Sequence, residues 1–223
     1  MRRSLSILLL CVAPAASAQS APLSPLDSIA GLGVPRSSDE LRRVIDRAGS
    51  DETAARVAND QARALKQRTE YLIDIQKTDL KAIEKREDLA KKEKRSEDQK
   101  SLESQRKRLD LALRVLERWR DVHDAAASAA DAERDAAQRS REAAQAEQTL
   151  GDMRRSRQPA VADTAVRTRP MDDELVKQVT RVLEAKRSEA DSRHQWWERL
   201  RDLADRQKDL LEAQKAVRDL GPH

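Results

Sequence analysis

Large apolar side chains are scarce in this chain. Of its 223 residues only 2% are aromatic, with no Phe, one Tyr and three Trp. A globular core usually draws on many bulky aliphatic and aromatic residues, so an ordinary compact domain is excluded. Gly (5) and Pro (7) are too few for a turn-rich β fold and too few for ordinary disorder. The single cysteine, Cys11, allows no disulfide within the chain. No apolar run approaches the roughly 20 residues that span a bilayer, so no transmembrane segment is expected.

Charge is abundant. Asp, Glu, Lys and Arg make up 38% of the residues and the mean hydropathy is −0.83. Apolar residues this sparse must be used along narrow stripes, which long helices do and sheets do not. The sequence therefore predicts an all-α fold.

The first residues point to a compartment. MRRSLSILLLCVAPAASAQS carries Arg2 and Arg3, an apolar run from Leu5 to about Ala13, and Ala16-Ser17-Ala18 before Gln19. That is the basic, apolar and small-residue order of a secretory signal, read as residues 1–18 with cleavage after Ala18 and a periplasmic destination. Lipidation of Cys11 is disfavoured by bulky Leu10 before it. Cleavage removes the only Cys and takes the formal charge from +4 to +2 through loss of Arg2 and Arg3. So balanced a charge, on an exported chain, gives no case for a nucleic-acid partner.

Residues 19–36 are rich in Pro and Ser and read as a flexible segment. Ser37 and Glu40 form a capping box that opens a helix, and Gly49 offers it an end. From Asp51 to Leu150 there is neither Gly nor Pro. Leu65, Leu72, Ile73, Ile75, Leu80, Ile83 and Leu89 mark an apolar seam that vanishes across KKEKRSEDQKS. It resumes at seven-residue spacing as Leu102, Leu109, Leu116, His123, Ala130, Ala137 and Ala144. Over 37–150 this predicts a short helix from Ser37 followed by a long antiparallel hairpin over 51–150 with a turn near 95–98, residue i lying opposite about 193 − i. A linker follows over 151–172, with Gly151 just past the helix end. A third long helix over 173–220 then packs along the second arm, residue j opposite about 323 − j.

No catalytic pattern stands out. His123 and His194 have no ligand partners at metal-binding spacing, and the abundant acids are spread among Lys and Arg as on solvated helix faces. No metal, no cofactor and no enzymatic activity are expected. The sharpest feature is SRHQWWERL, with Trp196 and Trp197 adjacent. Trp196, Trp197 and Trp119, with Leu200 and Leu203, form a candidate partner or packing surface. Trp196 and Trp197 are expected beside Ala126 and Ala127, with Leu65 in the same layer. An exposed Trp also suits peptidoglycan sugar faces or a partner helix.

The function expected from these residues is an exported coiled-coil scaffold or adaptor that binds another envelope protein or itself. Alternatives are a periplasmic holdase chaperone and a soluble helical component of a channel or transporter complex.

Overall fold

Ser37 opens the first helix as its spacing predicts. Its hydroxyl accepts from the Glu40 N–H at 3.2 Å, and the Glu40 carboxylate accepts from the Ser37 N–H at 2.8 Å. In the computed structural model, which describes residues 36–156 and 173–219, three helices follow: α1 (Ser38–Lys92), α2 (Ser96–Ser156) and α3 (Asp173–Asp219). The described residues contain no strand, and the fold is all-α. The expected signal peptide with Cys11, residues 19–35 and most of the expected linker lie outside the described residues. No described helix is long and apolar enough to cross a membrane.

Gly49 does not end a helix. It sits inside α1, where a seven-residue column of buried positions runs straight through it: Leu41, Ala48, Ala55, Ala62 and Thr69. Continuous packing along that column outweighs the roughly 1 kcal/mol that one interior Gly costs a helix. Gly151 is likewise internal, because α2 continues to Ser156. Leu150 is still buried there, so the helix has reason to persist.

The hairpin turn falls at 93–95, slightly before its predicted place. Lys94 takes a left-handed φ of 57°, the Arg95 N–H reaches the Ala90 carbonyl and the Lys94 N–H reaches that of Lys91. These are the two bonds of a Schellman end, here built without Gly. α2 begins at Ser96, and the Arg95 carbonyl takes the first turn's bond from Gln99 N–H.

α1 and α2 pair in the predicted register. Lys66 meets Asp124 at 2.7 Å, Arg63 meets Asp131 at 3.0 Å, and Glu52 meets Arg141 at 2.8 Å. Near the turn Arg106 lies 3.4 Å from Glu87, a buried carboxylate that also binds Lys91 at 2.9 Å. α3 runs back along α2 close to its expected register, with Gln178 donating to the Ala146 carbonyl at 3.1 Å and Arg118 3.8 Å from Asp209.

α2 is thus the middle of a three-helix layer, and its Ala-rich half has two buried columns. Ala130, Ala137 and Ala144 border the residues that bind α1. Val122, Ala129, Ala136, Ala143 and Leu150 border those that meet α3. Adjacent columns on one helix let it serve two neighbours, and alanine lets all three backbones approach closely. Ala143 and Ala144 are completely enclosed.

The seam of α1 differs from the predicted one. Ile73, Leu80 and Ile83 are buried, whereas Leu65, Leu72, Ile75 and Leu89 are exposed. Small and polar residues take their place, including Asn59 and Thr69. Spacing decides this outcome over residue size. The column from Leu41 to Thr69 keeps strict seven-residue steps toward α2, and Leu65 and Leu72 fall to one side of it.

Candidate functional site

The adjacent tryptophans have different fates, as neighbours set about 100° apart on a helix must. Trp196 belongs to the column Leu175, Val182, Glu189, Trp196, Leu203 and Leu210, which faces α2. Val182 and Leu210 in that column are buried, and Trp196 and Leu203 are half-buried. Trp197 lies beside the column and is 56% exposed. The two rings sit 5.6 Å apart with their planes tilted by 36°. Leu200 is half-buried next to them.

Only one ring therefore packs as expected. The observed register brings Trp196 to the Ala129 and Ala130 region of α2, about a turn from the predicted Ala126 and Ala127. Leu65 does not close that layer, since it is 40% exposed on α1. The Trp196 Nε1–H is buried and meets no acceptor among the described residues. An orphaned donor of this kind costs about 1–3 kcal/mol, so the position is held by the packing of its ring.

Trp119 is half-buried on α2 and stacks on His123, with ring centroids 5.4 Å apart and planes 25° from parallel. Burial pushes the His123 pKa below the ordinary imidazole value, so the ring is neutral at physiological pH. This pair lies nearer the turn than Trp196 and is a separate feature. His194 is exposed on α3, 3.4 Å from Glu198 one turn on. Among the described residues no group of three or more His, Cys, Asp or Glu is placed to hold a metal ion.

Sequence reasoning missed an ionic centre at the open end of the layer. Glu147 of α2 accepts two hydrogen bonds from Arg36, at 2.8 and 2.7 Å, and lies 2.6 Å from Lys186 of α3. Burial alone would raise the Glu147 pKa, but the bonds and charges of Arg36 and Lys186 outweigh it and hold the carboxyl below its usual range. One carboxylate thus joins the chain entering α1, the middle helix and α3. Its signal in sequence was only another Glu among many.

A second neglected feature is the apolar surface left over. α3 carries Val176, Leu183, Ala190, Trp197, Ala204 and Leu211 at strict seven-residue steps, every one exposed. α1 carries two shorter exposed columns, Val57, Ala64 and Tyr71 beside Ala58, Leu65 and Leu72. Seven-residue columns are the pattern by which helices pack on helices, and these have no partner within the described residues. A cleft of about 580 Å³ between α2 and α3 lies elsewhere and has charged walls that include Arg114, Arg118, Asp121 and Asp209. Comparison with known protein families, with curated proteins and with solved structures found no match to this chain.

Proposed function

We propose that this protein is an exported, non-enzymatic coiled-coil scaffold or adaptor that works by holding another chain of the cell envelope against its helices. One observation carries the reading. After α2 has satisfied a seam on each outer helix, α1 and α3 still present apolar columns at coiled-coil spacing to solvent, with Tyr71 67% and Trp197 56% exposed. Contiguous exposed apolar surface marks an interaction site on a soluble chain. Export rests on the signal-like order of residues 1–18.

The test is a photo-crosslinking residue at position 197 in intact cells, followed by mass spectrometry of the adducts. A scaffold gives one or a few discrete adducts at constant stoichiometry. A broad smear of unrelated unfolded chains indicates a holdase instead, and absence of any protein adduct removes the scaffold reading. Co-sedimentation with purified sacculi that is lost on Trp197→Ala would reassign the exposed ring to peptidoglycan.

A further inference from the structure

The apolar stripe of α3 has a border of one sign. Trp196, Leu200, Ala204, Lys208 and Glu212 follow one another in steps of four residues, each turned about 40° further around the helix. They mark five columns: the seam against α2, the column beside it, the exposed stripe from Val176 to Leu211, a basic column and an acidic one. The basic column reads Arg187, His194, Arg201, Lys208 and Lys215, all exposed. Among the described residues only His194 of these has a carboxylate partner, Glu198 at 3.4 Å. The acidic column, Glu184, Asp191, Glu198, Asp205 and Glu212, lies beyond the bases and is turned away from the stripe.

The stripe opens on the side of the layer where α2 shows the column between its two seams: Trp119, Ala126, Glu133, Ser140 and Glu147. Glu147 of that column binds Lys186, which lies between the seam of α3 and the stripe. On the same side Glu133 feels the charge of Asp51, which shares a column of α1 with Ala58, Leu65 and Leu72. Leu200, Ala126 and Leu65 therefore continue the apolar surface inward from Trp197 across all three helices.

The acids of α1 that recur at fourteen-residue steps, Asp46, Asp60, Asp74 and Asp88, are on the far side. Ala62, Leu65, Arg68, Tyr71 and Asp74 are successive three-residue steps of about 60°, which carry Asp74 past the outer edge of α1. Arg68, next to Leu65 on that walk, is exposed and has no ion pair with any described residue. Charge is thus sorted across the layer. Bases border the apolar face, and the acidic columns of both outer helices lie behind it.

We infer that the α3 stripe holds a helix of another protein whose own apolar stripe is bordered by Asp and Glu. It lies along α3 so that those acids meet Arg187, Arg201, Lys208 and Lys215. The inference rests on the scaffold reading and names the chemistry of the chain held. The seven-residue step selects a helix, because a helix wound with α3 follows such a column along its length. The unpaired bases select its charge, as residues flanking a coiled-coil seam select a partner. A second copy turned to the same face would set bases against bases and Glu133 against its own counterpart. An anionic membrane fits less well on two counts. A flat surface loses a seven-residue stripe by about 20° per heptad on a straight helix, and Asp51 and Glu133 on the same face repel anionic headgroups. From Leu183 to Leu211 the stripe runs about 42 Å. At about 10 Å wide the contact covers about 800 Å² over both chains, the size of a reversible association.

The experiment uses the chain lacking residues 1–18 and a fluorescent peptide of about four heptads, with Leu on its seam and Glu on both borders. A counterpart peptide carries Lys in place of Glu. Fluorescence anisotropy should show the acidic peptide binding about tenfold more tightly than the basic one, with its affinity falling as salt rises. Arg201→Glu and Lys208→Glu combined in one chain should weaken the acidic peptide about tenfold and turn the preference toward the basic one. Trp197→Ala should weaken both. All three residues are exposed, so an unchanged thermal melt shows that the fold is intact. In cells, the discrete adduct from a photo-crosslinking residue at 197 should vanish with the same double change. Equal binding of the two peptides, preference for the basic one, or binding of neither overturns the inference. An adduct that survives the double change also overturns it and leaves the scaffold reading standing. No adduct even without the double change overturns both. A 197-to-197 adduct between copies, or vesicles of anionic lipid that bind through Trp197, would give the stripe to a second copy or to a membrane and likewise overturn it.

Discussion

Glu147→Gln is the sharpest single perturbation of this fold, because one carboxylate serves three elements. Its side chain is 12% exposed and that of Lys186 is 19% exposed. Glutamine keeps the shape and one acceptor but removes the charge. Lys186 is then left as a mostly buried cation with no carboxylate of its own, while the Arg36 guanidinium, at 38% exposure, regains water. Net hydrogen bonds to charged groups contribute about 1.5–3 kcal/mol, and an orphaned buried charge costs at the upper end of that range. Discounting Arg36 for its hydration, we expect a loss of about 2 kcal/mol at pH 7, or about 4–8 °C in Tm for a chain of this size. Urea unfolding followed by helical circular dichroism measures it. The Glu147 pKa is depressed in the folded state, so its contribution is fully present above the ordinary glutamate range and is lost as pH falls from that range through the lower folded-state pKa. The difference between wild type and Glu147→Gln should therefore close on acidification. Lys186→Met added to Glu147→Gln should recover most of the loss, since the stranded cation is gone. A loss below about 0.5 kcal/mol at pH 7, or one unchanged in acid, would refute the role given to this carboxylate.

Four further outcomes are expected. Trp196→Ala should cost about 3–5 kcal/mol in urea unfolding, whereas Trp197→Ala should change the stability of the monomer by less than about 0.5 kcal/mol. Trp196→Phe should be nearly neutral, because it removes a buried N–H that has no acceptor. Gly49→Ala should stabilise by up to about 1 kcal/mol, read as a rise of about 2–4 °C in Tm, since an added Cβ meets nothing within 4 Å inside α1. Glu133 has its pKa raised by burial and by Asp51, so its ionisation disfavours the folded state as pH climbs above the ordinary glutamate range. Glu133→Gln should accordingly raise stability at pH 7, with the gain fading in acid.

Much of this architecture was legible in the sequence because breakers and spacing carried it. The span from Asp51 to Leu150 lacks Gly and Pro, and the charged gap before Leu102 marks the hairpin turn within a few residues. The register of the arms was legible for the same reason: a turn in that gap sets residue i opposite about 193 − i, the sum at which Glu52 meets Arg141. What failed was the choice of face on α1. Leu65 and Leu72 look like core by size, but the buried column runs through Ala48, Ala55 and Ala62. In a layer built on close backbone approach, alanine is the core residue and leucine is too large for parts of the seam. The second column of α2, Val122 to Leu150, was readable at the same seven-residue step but is hard to notice in so Ala-rich a stretch. Gly49 misled because a local end signal competes with a column that only the partner helix makes visible. The split between Trp196 and Trp197 needed the axial position of α3, which spacing alone leaves free by a turn.

The middle position of α2 also has a kinetic meaning. Residues of α1 and of α3 pack chiefly on α2 and hardly on each other, so α3 can peel away without opening the seam of the hairpin. Opening free energies should then be graded across the three helices. Amide protons of α3 should exchange first, those of α2 around Ala143 and Ala144 last, and the hairpin should remain as a cooperative unit between them. On refolding the order reverses: the local hairpin closes first through its three-residue turn, and α3 zips onto a surface that is already formed.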